Sequence, residues 1–280
     1  MKNALFLLIL FLVISCNQND KSDPTPNPDV ISKQQAPFGS QAVDVKLQKV
    51  FSGGKLVTEY IYEGDFLFQE KNYLLFDKPA LWATRTLLQE NGIAKSFNVV
   101  SAQFSGEGGW VSDDFKPFYN ITFNEILNDS VRNLTVENPS LKNTSLSEFK
   151  FDRDGFISKQ TNTTKYQKEA DYIYTYLRDA SHNIVEARRT SRDKPGKVSI
   201  VKYEYDTNPN PFFKLGLHFE LVSIDALSPN NIVLEKRLAE DGSEYITDYK
   251  YEYNTNGYPR TLIVQARLPL SKPQTLEFEY

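Results

Sequence analysis

From Val43 to Tyr280 the chain alternates apolar and polar residues in one stretch after another: VDVKLQKVF, KLVTEYIYEGDFLFQ, YNITFNEI, SVRNLTVE, SEFKFDRDGFISKQ, DYIYTYL, VSIVKYEYD, EYITDYKYEYN, YPRTLIVQARL and TLEFEY. A period of two puts successive side chains on opposite faces of a strand, one packed and one wet. Turn signals separate the stretches at Gly53-Gly54, Gly64-Asp65, Asn91-Gly92, Asn128-Asp129, Asp154-Gly155 and Asn256-Gly257. The weak helical candidates are Lys78 to Gln89 and Pro211 to Leu227; neither carries a sustained 3.6-residue stripe. The pattern predicts an all-β fold, an antiparallel meander of hairpins forming a strongly curved sheet or a barrel-like single domain over 42–280.

Within the alternation one layout recurs. Tyr60-Ile-Tyr62-Glu-Gly-Asp, Phe149-Lys-Phe151-Asp152-Arg-Asp154-Gly155, Tyr174-Thr-Tyr176, Tyr203-Glu-Tyr205-Asp206 and Tyr251-Glu-Tyr253-Asn254-Thr-Asn256-Gly257 place two rings at i and i+2, on one face. Rings so placed predict cross-strand aromatic pairs, each worth roughly 0.2–1 kcal/mol over alanine. The Asp or Asn that follows accepts a backbone N–H two residues on, and the glycine supplies positive φ for a hairpin with a bulge. TLEFEY is half a unit, as suits a last strand.

These units resemble the tyrosine-aspartate repeats of bacterial cell-surface proteins. From about Ser145 on, the chain is similar to a group of Bacteroidota lipoproteins of unknown function with a porin-like fold. The features that carry this are Tyr203-Glu-Tyr205-Asp206 with Asn210-Pro211-Phe212, Ser228-Pro229-Asn230-Asn231, Tyr251 to Pro259, and Glu277-Phe278-Glu279-Tyr280. The resemblance implies a curved or closed sheet and an envelope address, and it supplies no catalytic residues.

The N-terminus changes the picture. Lys2 precedes an apolar run from Ala4 to Ile14 and the sequence Val13-Ile14-Ser15-Cys16. That run fits the core of a secretory signal and falls short of the roughly 20 residues a spanning helix needs. Val-Ile-Ser-Cys resembles the lipobox of bacterial lipoproteins, which implies a signal over 1–15 and acyl chains on Cys16 as the link to the outer membrane. Several chains give stable anchoring where one does not. The Pro-rich stretch DKSDPTPNPDV within 16–41 reads as an extended, solvated tether. Cys16 is the only cysteine, so the chain has no internal disulfide and no other thiol for catalysis or metal binding.

Charge and inventory then exclude function classes. The chain has 32 basic and 36 acidic side chains, net −4, without a basic stripe, so nucleic acid is not an expected partner. The two histidines, His182 in a turn-like Asp-Ala-Ser-His-Asn and His218 in an apolar stretch, lie near no nucleophile elbow. Zinc sites of cysteine and histidine are not available, and Asp152-Arg-Asp154-Gly155 lacks the later ligands of a calcium loop. The adjacent carboxylates Asp113-Asp114 and Glu240-Asp241 read as solvated loops rather than a hydrolytic pair. No cofactor is expected, and the chain is read as not an enzyme.

Binding residues are candidates instead. After Asp206 the glycine turn gives way to Thr-Asn-Pro-Asn-Pro-Phe-Phe, and alternation resumes near Ile232. Loops beyond about 12–15 residues are uncommon in compact domains. This one, with Phe212, Phe213, Leu215 and His218, reads as a plug over an open end of the sheet, or as a lid on a ligand cavity. Trp110 in SGEGGWVSDD reads as an aromatic platform for a glycan or as loop packing, and Trp82 as core. Asp129-Ser130-Val131 is similar to the O-glycosylation motif of Bacteroidota envelope proteins, which marks Ser130; the sequons at Asn120, Asn128, Asn133, Asn143 and Asn162 read as compositional. The expected protein is a lipid-anchored binding or structural module of the outer membrane, with a glycan or envelope protein as ligand. The alternatives are a transmembrane barrel, for which the aromatic end of TLEFEY speaks, and a glycoside-processing hydrolase.

Overall fold

The protein is seen here in a computed structural model, which describes residues 45–74, 80–90, 93–105, 109–128, 131–138, 143–152, 154–164, 172–191, 194–213, 215, 224–268 and 271–280. Among the described residues sixteen strands follow one another. The first six are β1 (Lys49–Ser52), β2 (Lys55–Glu63), β3 (Phe66–Leu74), β4 (Ala80–Glu90), β5 (Ile93–Ser105) and β6 (Gly109–Asn128). Then come β7 (Val131–Asn138), β8 (Asn143–Phe151), β9 (Ile157–Thr164), β10 (Tyr172–Arg178) and β11 (Ile184–Ser191). The last five are β12 (Lys194–Pro209), β13 (Asn230–Leu238), β14 (Glu244–Tyr253), β15 (Pro259–Ala266) and β16 (Gln274–Glu279). Each pairs antiparallel with its neighbours in sequence, and β1 pairs with β16 through Lys49↔Glu279 and Val50↔Phe278, closing the ring. The expected all-β meander is therefore a barrel, whose closure removes both sheet edges.

The two weak helical candidates give no α-helix among the described residues. Ala80 to Gln89 lies in β4, and the described part of Pro211 to Leu227 contains a 3-10 turn, Ile224–Leu227. Propensity gave way to pairing: β4 has partners on both sides, from Glu70↔Arg85 and Arg85↔Val99 outward.

The turns follow the repeat's chemistry. The Asp152 carboxylate accepts from the N–H groups of Asp154 and Phe156 at 3.0 and 2.9 Å, that of Asp179 from Ser181 and Asn183 at 2.9 and 2.8 Å, and the Asn254 amide oxygen from Asn256 and Tyr258 at 2.9 and 3.1 Å. The residue three places on takes positive φ: Gly155 (82°), Gly257 (80°) and, in the one non-glycine case among the described residues, His182 (65°). The His182 ring lies on Phe156 with centroids 4.4 Å apart.

A ring contact between neighbouring strands, as the repeat suggested, joins Tyr258 and Tyr280 at the ends of β15 and β16 (5.7 Å), but the repeat's own tyrosines face other residue types across the ladders. Across the ladders Tyr251 faces Leu262, Tyr249 faces Val264, Tyr174 faces Gln160 and Arg189, Tyr60 faces Glu70, and Tyr205 faces Ile232. The rings instead meet two residues apart on one strand: Tyr251 with Tyr253 at 5.8 Å, Tyr203 with Tyr205 at 6.4 Å, Tyr172 with Tyr174 at 6.5 Å. Bulges between Glu204/Tyr205 and between Glu252/Tyr253 tighten the local twist beside these pairs.

Inward and outward faces differ sharply. Tyr60, Leu67, Ala83, Leu87, Phe149, Tyr176, Val201, Tyr203, Leu262 and Phe278 are buried inside. Outward stand ion pairs between neighbouring strands: Lys49–Glu279 (2.6 Å), Lys71–Glu59 (3.6 Å), Lys202–Glu186 (3.8 Å), Lys236–Glu204 (3.2 Å), Arg260–Glu252 (2.9 Å) and the two-pronged Arg267–Asp248 (2.7 Å for each contact).

Candidate functional site: the barrel lumen

Sixteen strands enclose enough room for an aqueous channel. Here the lumen changes character along its length. The end that carries the Gly64, Asp152, Asp179 and Asn254 turns, together with residues 45–48 and Tyr280, is apolar. There the described part of the segment between β12 and β13 turns inward. Leu215 is buried with Leu47, Tyr60, Leu67, Leu262 and Phe278, and Leu227 with Phe149, Phe151, Ile157, Ile184 and Ile232. Phe212 meets Phe278 edge-on at 6.1 Å, and Phe213 lies 6.5 Å from Phe156. A space of only about 50 Å³ separates Phe212 from Tyr249, Tyr251 and Leu262, room for one or two waters.

Polar side chains pin this plug at both ends. Asn210 donates to the Ser228 carbonyl (2.8 Å), the Ser228 hydroxyl accepts from the Ile184 N–H (3.1 Å), and Asn183 accepts from the Asn230 N–H (3.0 Å). Tyr205 donates to the Ile184 carbonyl at 2.8 Å, and Tyr253 bonds to the Asp206 carboxylate. Arg178 reaches three carbonyls, of His182, Leu227 and Ile157, at 2.6, 2.9 and 3.4 Å, with its guanidinium over the Phe156 ring. Burial lowers its pKa to about 10.

The opposite half of the inner wall is polar. On β8 to β10, Ser147 donates to the Asn162 amide oxygen (2.8 Å), Gln160 donates to the same oxygen (2.8 Å), and Tyr176 donates to Gln160 (3.3 Å). Burial pushes the Tyr174 hydroxyl up to about 12, against the pull of Arg189. On β11 to β13 stand Arg189, Ser191, Ser199 and the pair Arg237–Glu235 (2.8 Å). Mid-barrel, on β2 to β4, Glu70 is 5% exposed and accepts from Asn72 (2.8 Å) and Arg85 (3.1 Å) through one oxygen; the other has no partner. The Ser191 and Ser199 hydroxyls and the Arg189 Nε are buried without partners as well. Buried polar atoms left unmatched cost about 1–3 kcal/mol each, and among the described residues nothing offsets that cost here.

A second concavity, a groove of about 440 Å³ at the plugged rim, is lined by Asp179, Ser181, Tyr203, Glu204, Tyr205 and Asp206 among others. Its carboxylates are already engaged. Asp179 holds its turn, Asp206 accepts from Tyr253 and the Asn208 N–H, and Glu204 pairs with Lys236. The groove is a by-product of turn chemistry.

Of the residues singled out from sequence, Phe212 and Phe213 join the plug, while Cys16, Ser130 and His218 lie outside the described residues. Trp110 is corrected from a loop to the start of β6, opposite Phe104; its side chain lies outside the described residues. Asp113 and Asp114 likewise belong to strand β6 rather than a loop. Trp82, expected in the core, is half-buried, because it neighbours the inward Ala83 and so faces the other way. Arg189 was overlooked, although Arg188-Arg189 in one strand obliges one of two adjacent arginines to point inward. Among the described residues no group of three or more His, Cys, Asp or Glu lies close enough to hold a metal.

No protein-family model and no curated protein matches the chain. Among solved structures it is similar to a porin-like protein from Bacteroides uniformis, at 14% identity and a TM-score of 0.41, over 83% of this chain and 96% of that one. It is also similar to a porin-like protein from Bacteroides vulgatus, at 14% identity and a TM-score of 0.37, over 85% and 99%.

Proposed function

We propose that this is a non-enzymatic binding module of the cell envelope: a β-barrel standing in water, tied to the outer membrane through acyl chains on Cys16, with the polar half of its lumen as the binding chamber. The observation that carries the reading is the sign of the two faces. A spanning barrel turns an apolar band about 25 Å tall towards lipid, and Arg or Lys at its midplane costs about 2–4 kcal/mol. Here Lys49, Lys71, Lys202, Lys236 and Arg260 stand outward on the strands and Arg267 just past the end of β15, each beside a carboxylate. Surface pairs of this kind add little stability, about 0–1 kcal/mol, but they suit a wall facing water.

Residues 45–48 and Tyr280 belong to the plugged end. The Gln48 N–H donates to the Glu279 carbonyl at 2.8 Å, and Lys46 to the Gly64 carbonyl at 2.8 Å. The test is Cys16→Ala in the native host. Wild type is expected in the membrane fraction and C16A in the soluble fraction; C16A retained in membranes through a high-salt wash contradicts the reading.

A further inference from the structure

We propose that Arg189, Ser191 and Ser199 form an oxyanion subsite in the polar half of the lumen, taking the carboxylate of an acidic saccharide. The inference deepens the binding-module reading and rests on it. The three residues are neighbours by register: Arg189 faces Ser199 across β11 and β12, and Ser191 follows two places on, facing Tyr172 of β10.

Three observations converge on this patch. First, its donors are idle. Ser191 and Ser199 are 4% and 3% exposed, yet neither hydroxyl has a partner, nor does the Arg189 Nε. Idle donors side by side ask for an acceptor-rich ligand, and a carboxylate offers about four lone-pair sites that suit an arginine fork.

Second, the charge of Arg189 is loosely matched. Its near carboxylate, Glu240 in the β13–β14 turn, stands 3.6 Å away and is 31% exposed. That is beyond a good hydrogen bond, so an incoming anion displaces little. Arg178 shows the contrast: its two terminal nitrogens bond three backbone carbonyls, of Ile157, His182 and Leu227, although its Nε, like that of Arg189, has no partner.

Third, the arginine is already oriented. Its guanidinium carbon lies 4.2 Å from the centroid of the Tyr172 ring, and Tyr174 faces it across the ladder. Stacking fixes the plane of the fork before the ligand arrives and reduces the ordering that binding requires. The saccharide body is assigned to the surrounding wall. Gln160, Asn162 and Ser147 stand there bonded to one another, and the tyrosine rings provide faces for a sugar ring.

The test is calorimetry on a chain beginning at Gln35, titrated with glucuronate, glucose and acetate. Glucuronate is expected to bind at least tenfold tighter than either of the others, R189Q to lose at least tenfold of that affinity, and S199A to lose several-fold. Should R189Q lose its cooperative melt, S199A carries the test, since it removes one hydroxyl and leaves every charge of the wall in place. Equal binding of glucuronate and glucose, unchanged in S199A, overturns the subsite while leaving the lumen a binding chamber. Acetate binding as tightly as glucuronate overturns the saccharide assignment. No binding of any probe by a folded protein overturns the subsite, and C16A fractionation then decides separately whether the envelope reading stands.

Discussion

Gly257 shows how much of a turn is decided by one residue. Its φ is +80°, where a Cβ crowds the backbone and costs about 1–2 kcal/mol. A Cβ built there would meet the Asn208 Oδ1 at 3.6 Å and the Pro209 Cδ at 3.7 Å, ordinary contacts, so the strain lies in the backbone alone. Gly257→Ala is therefore expected to lower stability by about 1 kcal/mol in chemical denaturation, with an unchanged slope. His182 occupies the matching place in its own turn, at φ 65°, and stacking on Phe156 offsets the strain. These features were legible in the sequence, because an Asp or Asn with glycine three places on states its own chemistry. The inward face of Arg189 was not. Alternation tells which residues share a face but not which face is inner, and the bulge between Thr190 and Ser191 blurs even that.

Among the elements, the segment between β12 and β13 carries the largest consequence. Its apolar residues were legible as a plug or a lid, and the described part behaves as a packed wedge: Leu215 is 1% exposed among side chains from β1, β2, β3, β15 and β16. Leu215→Ala removes a buried side chain from a site walled by paired strands, which have little freedom to collapse around the hole. The expected loss is about 3 kcal/mol, read from the denaturation midpoint. A loss below about 1 kcal/mol would mean that the segment rests on the rim rather than within the lumen. Closure of β1 on β16 was not legible, since it joins Lys49 to Glu279 across almost the whole chain and no local pattern encodes such a pairing. The ring contacts were half legible. The i, i+2 spacing did place tyrosines on one face, but it gave no hint that their partners across the ladder would be Leu262, Val264, Arg189 and Glu70.

At the scale of the whole molecule, tyrosines turn inward and the lysines of the strand-to-strand ion pairs turn outward. Burial leads the causes that raise the pKa of the inward Tyr60, Tyr62, Tyr174, Tyr176, Tyr253 and Tyr280, and of Tyr73, which bonds the outward Glu59, above the usual value. Each is held neutral in the folded state, so its contribution is fully present below about pH 10 and is lost as pH rises through the folded pKa, where the unfolded chain sheds its protons first. Arg178 acts in the opposite sense, its charged form being disfavoured in the fold, but it is one group against seven. The most direct single measurement is a detergent-free titration of the chain beginning at Gln35, following phenolate absorbance and far-ultraviolet circular dichroism together. The expected result is that exposed tyrosines ionise near pH 10 with the β signal intact, while the rest ionise at higher pH, together with loss of that signal. Ionisation of all 16 tyrosines near pH 10 with the β spectrum unchanged would contradict the account.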